Sequence, residues 1–472
     1  MEFTRRQFIQ CTGALTAASF LRPSVLRGAW LQPALAELIG DRYFVVVFLN
    51  GGNDGLNTVT PLGDGASGGL RAAYEAARNT GSGGLRLLVS DLTATAIGSD
   101  ANTGTPLALH PGLIGLKHLY DLGKVAVIQG CGYPSYNLSH ELSRTAWQTG
   151  NPLMASGFGG GWMGRYLAAN YAGNQIPGVC IRDDIAPEFG QTSTSVLAVR
   201  RLSQYGFPYD GYNPADDLAK RTAFVAVQSA AGSSPQPVLR SVGESGSATL
   251  ASSESYPPLS QAYVQERPSF NQAYTNLRSG FASDLREVAK IIYGVSRGVP
   301  NVNARFFEVE NGGYDTHSNQ GGAETNGLHH KLHREVGDAL ALFYDDCADM
   351  GVADRLCLVT WSEFSRRVRQ NANGTDHGSQ GPVFVIGGAV RGGVYGHHPN
   401  INAAALGSDG NTVYSQASSN PYRSTDFRDV YGTLLKHWLN IPAAQLSAVL
   451  PVDSGDPSAY WTAPNFDLPF LT

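Results

Sequence analysis

The chain has 472 residues, of which 42% are hydrophobic, and it carries a formal net charge of −5 with a pI near 6.1. No basic stripe stands out, which excludes the electrostatic footprint of a nucleic-acid-binding protein. The hydrophobic fraction is ample for a large buried core, and 56 glycines and 25 prolines predict long loops that can carry function.

The N-terminal segment has the features of an export signal. Arg5-Arg6 is a twin-arginine pattern, an apolar stretch runs from Thr12 to Leu21, and small residues before Ala36 suggest cleavage there. We therefore predict a signal peptide at 1–36, one mature domain at 37–472, the twin-arginine export machinery as a partner, and a periplasmic or secreted location. A basic helix that happens to carry two arginines is the alternative. No later segment reaches the length of about 20 apolar residues that a membrane span needs, so none is expected in the mature chain.

Six short apolar runs, rich in β-branched and aromatic residues, predict buried strands. They cover residues 44–49, 125–128, 178–181, 305–309, 356–361 and 383–387. Helical spacing and capping residues predict helices at 113–122, 139–148, 271–295, 327–350 and 427–439. This alternation favours an α/β fold with a mostly parallel sheet flanked by helices. The region 190–300 departs from it and is rich in Ser, Gly and Ala at its centre, so we predict a loop-rich insertion over the core.

Three of the strands run into glycine-rich segments with metal-seeking side chains: Asp54 after the first, Asp315 and His317 after the fourth, and Glu363 followed by Asp376-His377 after the fifth. Open α/β sheets place their ligand crevice at such strand ends, so these groups can meet around divalent ions. The D-x-H spacing of Asp315 and His317 puts both side chains on one side of an extended chain. Simpler explanations stay open, because Asp54 suits turn chemistry and Asp315 can serve only to orient His317.

Two further segments carry candidate catalytic groups. Ser139 opens a predicted helix, where it is either an ordinary N-cap or a metal-activated nucleophile at a helix end that favours anions. His140 is a ligand, a general acid or a helix residue near the site. Arg366 either steadies the oxyanion of a phosphate- or sulfate-like group or belongs to a solvated charged face.

The remaining histidines fall into two groups. His397-His398 follow a glycine-rich turn after a strand, which makes one of them a candidate late metal ligand. His329, His330 and His333 flank the apolar stripe of the helix at 327–350, and His329 and His333 have the i, i+4 spacing of metal ligands. We expect them to be partly exposed helix residues that bind no metal.

Taken in order, these motifs resemble the domain-of-unknown-function family 1501, whose members are twin-arginine-exported proteins often described as sulfatase-like. The resemblance covers essentially the whole mature chain and rests on Gly51–Asn57, Leu109–Pro111, Ser139-His140, Gly312–His317, Ser362–Phe364 and Gly374–Gly378. Ser365 stands where the family usually has Gly, and Glu141 stands where it usually has an aromatic residue. Both departures can alter loop shape near the proposed nucleophile or anion site.

That family is similar to the alkaline phosphatase superfamily, which implies a three-layer α/β sandwich with two metal ions and a nucleophile at a helix start. The order of the superfamily's residues then assigns Asp54, Ser139, Asp315 with His317, Asp376-His377, and finally His397 or His398. A second alignment gives the place of the Asp-His pair to Glu363 and makes Asp376 and His377 the late ligands. Asp54, Asp315 and His317 hold in both alignments.

The resemblance implies an exported hydrolase of phosphate or sulfate esters, either small molecules or glycans, with two divalent ions (Zn, Mn, Mg or Ca) that activate Ser139. Two other functions stay open: a non-catalytic secreted or cell-surface binding protein that keeps the fold, and a metal-free hydrolase that uses Ser139 and a histidine. The sequence contains no G-x-S-x-G elbow after a strand, which counts against an α/β-hydrolase. It also contains no C-x-P-x-R segment, so a formylglycine nucleophile has no precursor.

Overall fold

The computed structural model describes residues 42–65, 69–133, 136–153, 159–171, 176–190, 194–207, 213–402, 424–451 and 464–471. The predicted signal peptide at 1–36 lies outside these residues. Across the part that is described, no helix is long and apolar enough to cross a membrane.

Strands and helices alternate along the chain. The strands are β1 Tyr43–Leu49, β2 Val59–Pro61, β3 Ala96–Ser99, β4 Pro106–Leu109, β5 Val125–Gly132, β6 Gly178–Cys180, β7 Val196–Ala198, β8 Phe306–Asn311, β9 Leu356–Trp361, β10 Ser365–Arg366, β11 His377–Gly378, β12 Gly381–Gly387, β13 Gly393–Tyr395 and β14 Thr425–Asp426. The α-helices are α1 Gly55–Thr58, α2 Leu70–Ala77, α3 Val89–Leu92, α4 Ile114–Asp121, α5 His140–Thr149, α6 Trp162–Asn170, α7 Pro214–Gly232, α8 Pro237–Glu266, α9 Pro268–Asn276, α10 Gly280–Ser296, α11 Leu328–Asp349, α12 Phe427–Thr433 and α13 Ala443–Val449.

A central sheet of nine strands organises the molecule. Its order is β13-β5-β12-β9-β1-β8-β6-β7, and β14 also pairs with β5. All its pairings are parallel except those of β12, which runs antiparallel to β5 and β9. The sheet is therefore mostly parallel, as the alternation of strands and helices predicts. Two small sheets, β2-β4-β3 and β10-β11, lie outside it.

The central strand β1 shows why both faces of the sheet need cover. All seven of its residues are buried, and their side chains alternate between two hydrophobic cores, with Val45 and Val47 in one and Phe44 and Val46 in the other. The first core includes residues of α4, α8, α10 and α11, and the second includes residues of α5, α6, α12 and α13. Helices on both faces of the sheet give three layers.

The region 190–300 is mostly helical, which corrects the predicted loop-rich insertion. Four helices, α7 to α10, occupy most of residues 214–296. A Cβ on Gly243 would collide with the backbone nitrogen of Gly232, so small residues let α7 and α8 pack closely. Tyr256 and Tyr263 of α8 then reach the core. Tertiary packing therefore stabilises a helix whose composition gives little local helical signal.

The strands that carry the metal-seeking segments end at one level. In the register of the sheet, Leu49 of β1 pairs with Asn311 of β8, and Phe48 pairs with Trp361 of β9. The segments that follow β1, β8 and β9 consequently start from the same edge, and β12, being antiparallel, begins there.

Candidate metal centre

The turn after β1 brings two backbone N–H groups to a buried carboxylate. Gly51 and Gly52 have φ values of 124° and 79°, which glycine adopts without steric cost. Both N–H groups donate to the Glu363 carboxylate, at 3.1 Å each. A Cβ on Gly51 would collide with the backbone nitrogen of Asp315. The glycines therefore let the loops after β1, β8 and β9 touch one another.

Arg366 fixes the same loops and holds Asp315. Its side chain is fully buried, and Nη2 donates to Asp315 Oδ1 at 2.7 Å. The guanidinium also donates to four backbone carbonyls, those of Gly51, Gly52, Tyr314 and Thr375. Burial by itself raises the pKa of Asp315, but the hydrogen bond and charge of Arg366 lower it overall. In this geometry Arg366 is a positioning group for Asp315 and the loops, because its buried guanidinium is held by Asp315 and four carbonyls.

Three imidazoles are each fixed through Nδ1. This atom lies 2.8 Å from Glu363 Oε1 in His140, 3.1 Å from Asp376 Oδ1 in His317, and 2.8 Å from the carbonyl oxygen of Leu138 in His377. All three partners are hydrogen-bond acceptors, so the tautomer with its proton on Nδ1 satisfies them, and in that tautomer Nε2 carries a lone pair. A carboxylate or carbonyl behind the ring is the usual way in which proteins orient a metal-binding histidine.

The three Nε2 atoms meet at the Asp315 carboxylate. His317 Nε2 and His377 Nε2 are 2.9 Å apart, and Asp315 Oδ1 lies 3.1 and 3.3 Å from them. His140 Nε2 lies 3.5 Å from Asp315 Oδ2. Two imidazole lone pairs this close repel each other unless a proton or a metal ion lies between them. Ligand atoms at 2.0–2.1 Å from a tetrahedral ion stand about 3.4 Å apart. The ligand atoms of His140, Asp315 and His377 all lie within 4.8 Å of one another, and His317 contacts Asp315 and His377 beside them.

Asp54 belongs to a different network. Its carboxylate is fully buried, accepts 2.8 and 3.0 Å hydrogen bonds from the Arg78 guanidinium, and accepts a 2.6 Å hydrogen bond from Gln320 Nε2. Burial raises the pKa of Asp54, but the charge and hydrogen bonds of Arg78, together with His329 and Gln320, outweigh it, so the net shift is downward. Gln320 follows His317 in the loop after β8. The geometry thus makes Asp54 a structural support for that loop, with its oxygens already occupied.

The other residues selected from the sequence take separate places. Glu363 holds the imidazole of His140, and Asp376 holds that of His317. The sequence offered either Glu363 or Asp376 with His377 as metal ligands, but in the structure both carboxylates orient a ring, next to His377. Ser139 is the exposed N-cap of α5, and its hydroxyl makes no capping hydrogen bond. His397 is half exposed and lies 3.9 Å from Asp100 Oδ2, in a pairing that does not involve the cluster.

Residues 293–414 match the model of a family described as "Protein of unknown function (DUF1501)". This match supports assignment of the chain to the DUF1501 family. Asp315, His317 and His377 lie in the matched segment, as do Glu363 and Arg366, whereas His140 and Asp54 precede it. Searches of curated proteins and of solved structures found no match to the chain.

Four histidines form a buried cluster behind the turn after β1, which corrects the expectation that three of them are partly exposed. His329, His330 and His333 of α11 are at most 7% exposed, and their rings lie 5.0–5.5 Å from the ring of His110. A Cβ on Gly112 would approach the carbonyl oxygen of His330 to 2.6 Å, so the 3-10 turn after His110 covers the first turns of α11. Helical spacing cannot show such a cover.

The buried imidazoles support the loop after β1. His329 Nε2 lies 3.0 Å from Asn53 Oδ1, and His333 Nε2 lies 3.0 Å from Thr58 Oγ1. Burial lowers the pKa of all four rings, that of His329 to about 4, so they are neutral at pH 7. Among the described residues, the set of His140, Asp315 and His377 has ligand atoms within 4.8 Å of one another, and the buried cluster has no such set.

A buried carboxyl pair, Glu188 and Glu308, was also missed from the sequence. Both side chains are almost completely buried, and Arg182 lies 3.4 Å from Glu308. Burial raises the pKa of Glu188 to about 7, and burial together with the nearby Glu188 raises the pKa of Glu308. Single glutamates in a strand or turn carry no sequence signal of such a pair, because its members meet only in the folded chain.

Proposed function

We propose that this chain is an exported, metal-dependent hydrolase of phosphate or sulfate esters, with its metal held by His140, Asp315, His317 and His377. The observation that carries the proposal is the arrangement of the three imidazoles, each of which donates through Nδ1 and directs Nε2 toward one carboxylate. This donor set fits a divalent ion such as zinc. The DUF1501 description names no activity, so the reaction class rests on the chemistry of the site and on the resemblance in motif order to the alkaline phosphatase superfamily.

A bound divalent ion would act as a Lewis acid on the ester oxygen. The chain's own residues supply the rest. Ser139 offers an exposed hydroxyl directly before His140, at a helix N-terminus where free N–H groups favour negative charge. Glu363 and Asp376 keep the imidazoles oriented, and Arg366 keeps Asp315 in place.

The proposal has one ion where the superfamily resemblance implies two. Of the residues that would complete a second site, Asp54 is held by Arg78, and His397 lies 3.9 Å from Asp100. Within the described residues, the ligand atoms that converge form a single set at Asp315.

Metal binding is the first test. Purified full-length protein is stripped with a chelator, reloaded with Zn, Mn, Mg or Ca, and analysed for bound metal and for hydrolysis of a panel of phosphate and sulfate esters. We expect about one ion per chain and hydrolysis that depends on it. His377→Ala should lose the ion, whereas His437→Ala, at an exposed pair with Asp467, should keep it. A wild-type chain that takes up no divalent ion would sink the proposal.

Two further outcomes separate the alternatives. Hydrolysis that survives the chelator favours a metal-free hydrolase, and a chain that binds metal but cleaves no ester favours a non-catalytic binding protein. Ser139→Ala tests the nucleophile separately, because ester hydrolysis that persists in this variant removes Ser139 from that role while leaving the metal site intact.

A further inference from the structure

A metal centre that accepts substrate needs a position that the protein does not keep for itself. Structural zinc sites have four protein ligands, whereas catalytic sites have three and leave the fourth position to water or substrate. The proposed set supplies four ligands, so in a tetrahedral centre one of them gives up its place when an ester binds. The four ligands, which are not held equally firmly, belong to His140, Asp315, His317 and His377.

His140 and His377 are the firmly held imidazoles, and their side chains are only 27% and 20% exposed. Nδ1 of His140 lies 2.8 Å from Glu363, whose carboxylate is fully buried. Nδ1 of His377 lies 2.8 Å from the backbone carbonyl of Leu138. The buried ring of Phe364 packs against both imidazoles, with ring centroids 4.8 Å and 4.3 Å away. Neither imidazole turns away from the site without losing contacts in the interior.

His317 is held more loosely than the other two imidazoles. Its side chain is 46% exposed, and the Asp376 carboxylate, 3.1 Å from its Nδ1, is 48% exposed. Its backbone, in contrast, is fixed. The His317 carbonyl accepts a 3.0 Å hydrogen bond from Asn371 Nδ2, and a Cβ on Gly374 would lie 2.4 Å from the carbonyl carbon of His317. The imidazole therefore leaves its place by side-chain rotation alone, while the loop stays where it is.

His317 also crowds its neighbour in the centre. Its Nε2 lies 2.9 Å from His377 Nε2, whereas neighbouring ligand atoms of a tetrahedral ion stand about 3.4 Å apart. His377 is fixed in β11, where it pairs with Arg366 of β10, so His317 is the member of the crowded pair that yields. Asp315 is half exposed, but the buried Arg366 guanidinium holds it with a 2.7 Å hydrogen bond. A molecule that arrives from solvent therefore meets His317 as the most loosely held ligand.

From these contacts we propose that His317 is the exchangeable ligand of the centre and that substrate enters at its position. His140, Asp315 and His377 hold the ion throughout. This role rests on the proposed metal-dependent function and adds to it the place where substrate binds.

The first test measures zinc binding to the full-length chain by titration calorimetry, with folding checked by circular dichroism. His317→Ala should keep the ion, with an affinity lowered by about 10- to 100-fold, as when a residue that only orients a ligand is lost. His140→Ala and His377→Ala should lose it, and His397→Ala, at a half-exposed histidine near Asp100, is the matched control that should bind like wild type. Loss of the ion from His317→Ala, or its retention in His140→Ala, overturns the role of His317. A wild-type chain that binds no zinc contradicts the proposed function instead.

Labelling of the wild-type chain tests the exchange without any variant. Diethyl pyrocarbonate modifies imidazoles that no metal ion holds, and mass spectrometry of the peptides locates the modified residues. In the zinc-loaded chain His140, His317 and His377 should be protected, and the half-exposed His397 should be modified. Addition of inorganic phosphate or sulfate should abolish the protection of His317 alone. Protection of His317 that persists with both anions, or modification of His140 or His377 along with it, overturns the exchange.

Discussion

The buried pair of Asp54 and Arg78 gives the sharpest test of what Asp54 does. The carboxylate and guanidinium are both fully buried and joined by hydrogen bonds of 2.8 and 3.0 Å. Replacing Arg78 by Met leaves Asp54 with Gln320 and a long contact from the Asn57 N–H. An uncompensated buried charge costs about 3–5 kcal/mol, so Arg78→Met should lower the free energy of unfolding by that amount.

The companion variants complete a double-mutant cycle. Asp54→Asn leaves the Arg78 charge without its carboxylate partner, hydrogen-bonded to the Arg367 carbonyl, and should cost a similar amount. The double variant removes both charges and should return to within about 2 kcal/mol of wild type, since no buried charge is then left without a partner. The measurement is urea unfolding at pH 7.5 followed by tryptophan fluorescence, with bound metal determined for each variant.

The cycle separates a structural Asp54 from a ligand. A structural role predicts large single losses, a coupling energy of at least about 4 kcal/mol, and unchanged metal content in folded Asp54→Asn. A ligand role, which the sequence suggested, predicts loss of metal in Asp54→Asn with little change in the stability of the metal-free chain. Single losses that add without coupling would refute the pairing itself.

Three more predictions follow from other buried groups. Glu363→Gln should weaken metal affinity about 10- to 100-fold in calorimetric titration, because the carboxylate that orients His140 is lost; unchanged affinity contradicts that role. The pKa of His329 is about 4 in the folded chain, against about 6.5 when unfolded, so stability should fall by up to about 3 kcal/mol as pH drops through that window. His329→Gln should flatten this dependence in urea unfolding, and an unaltered slope counts against it. The pH dependence of Glu188 has the opposite sign, because its pKa is raised to about 7. Its contribution to stability is present below about pH 4.3 and is lost as pH rises through 7. Glu188→Gln should therefore raise the free energy of unfolding by about 3 kcal/mol at pH 8, and no gain would mean that the carboxyl group is not desolvated.

The strands could be predicted because their signal is local. The apolar runs at 44–49 and 356–361 bury both faces, which requires no knowledge of their partners, and both are strands in the structure. The location of the site at one edge of the sheet could be predicted for the same reason, since polar side chains follow the glycines at the strand ends. Asp315, His317 and His377 were selected on that basis, and the structure brings them together.

Partner choice could not be predicted from the sequence. Glu363 and His140 are 223 positions apart, and Asp54 and Arg78 are 24 apart on different elements, so no spacing rule connects them. Of the carboxylates that looked alike in sequence, tertiary structure directs Asp315 to the imidazole nitrogens, Glu363 and Asp376 to the backs of two rings, and Asp54 to an arginine.

Burial was the other property decided by the fold. The sequence alone determined an α/β chain with metal-seeking groups at three strand ends, because hydrophobic period and glycine breaks are properties of neighbouring residues. His329 and His333 are buried under the turn after His110 only in the tertiary structure. The Ser-, Gly- and Ala-rich region is helical, and its helices pack closely at Gly232 and Gly243. Both outcomes depend on surfaces that come from distant parts of the chain and meet only when it folds.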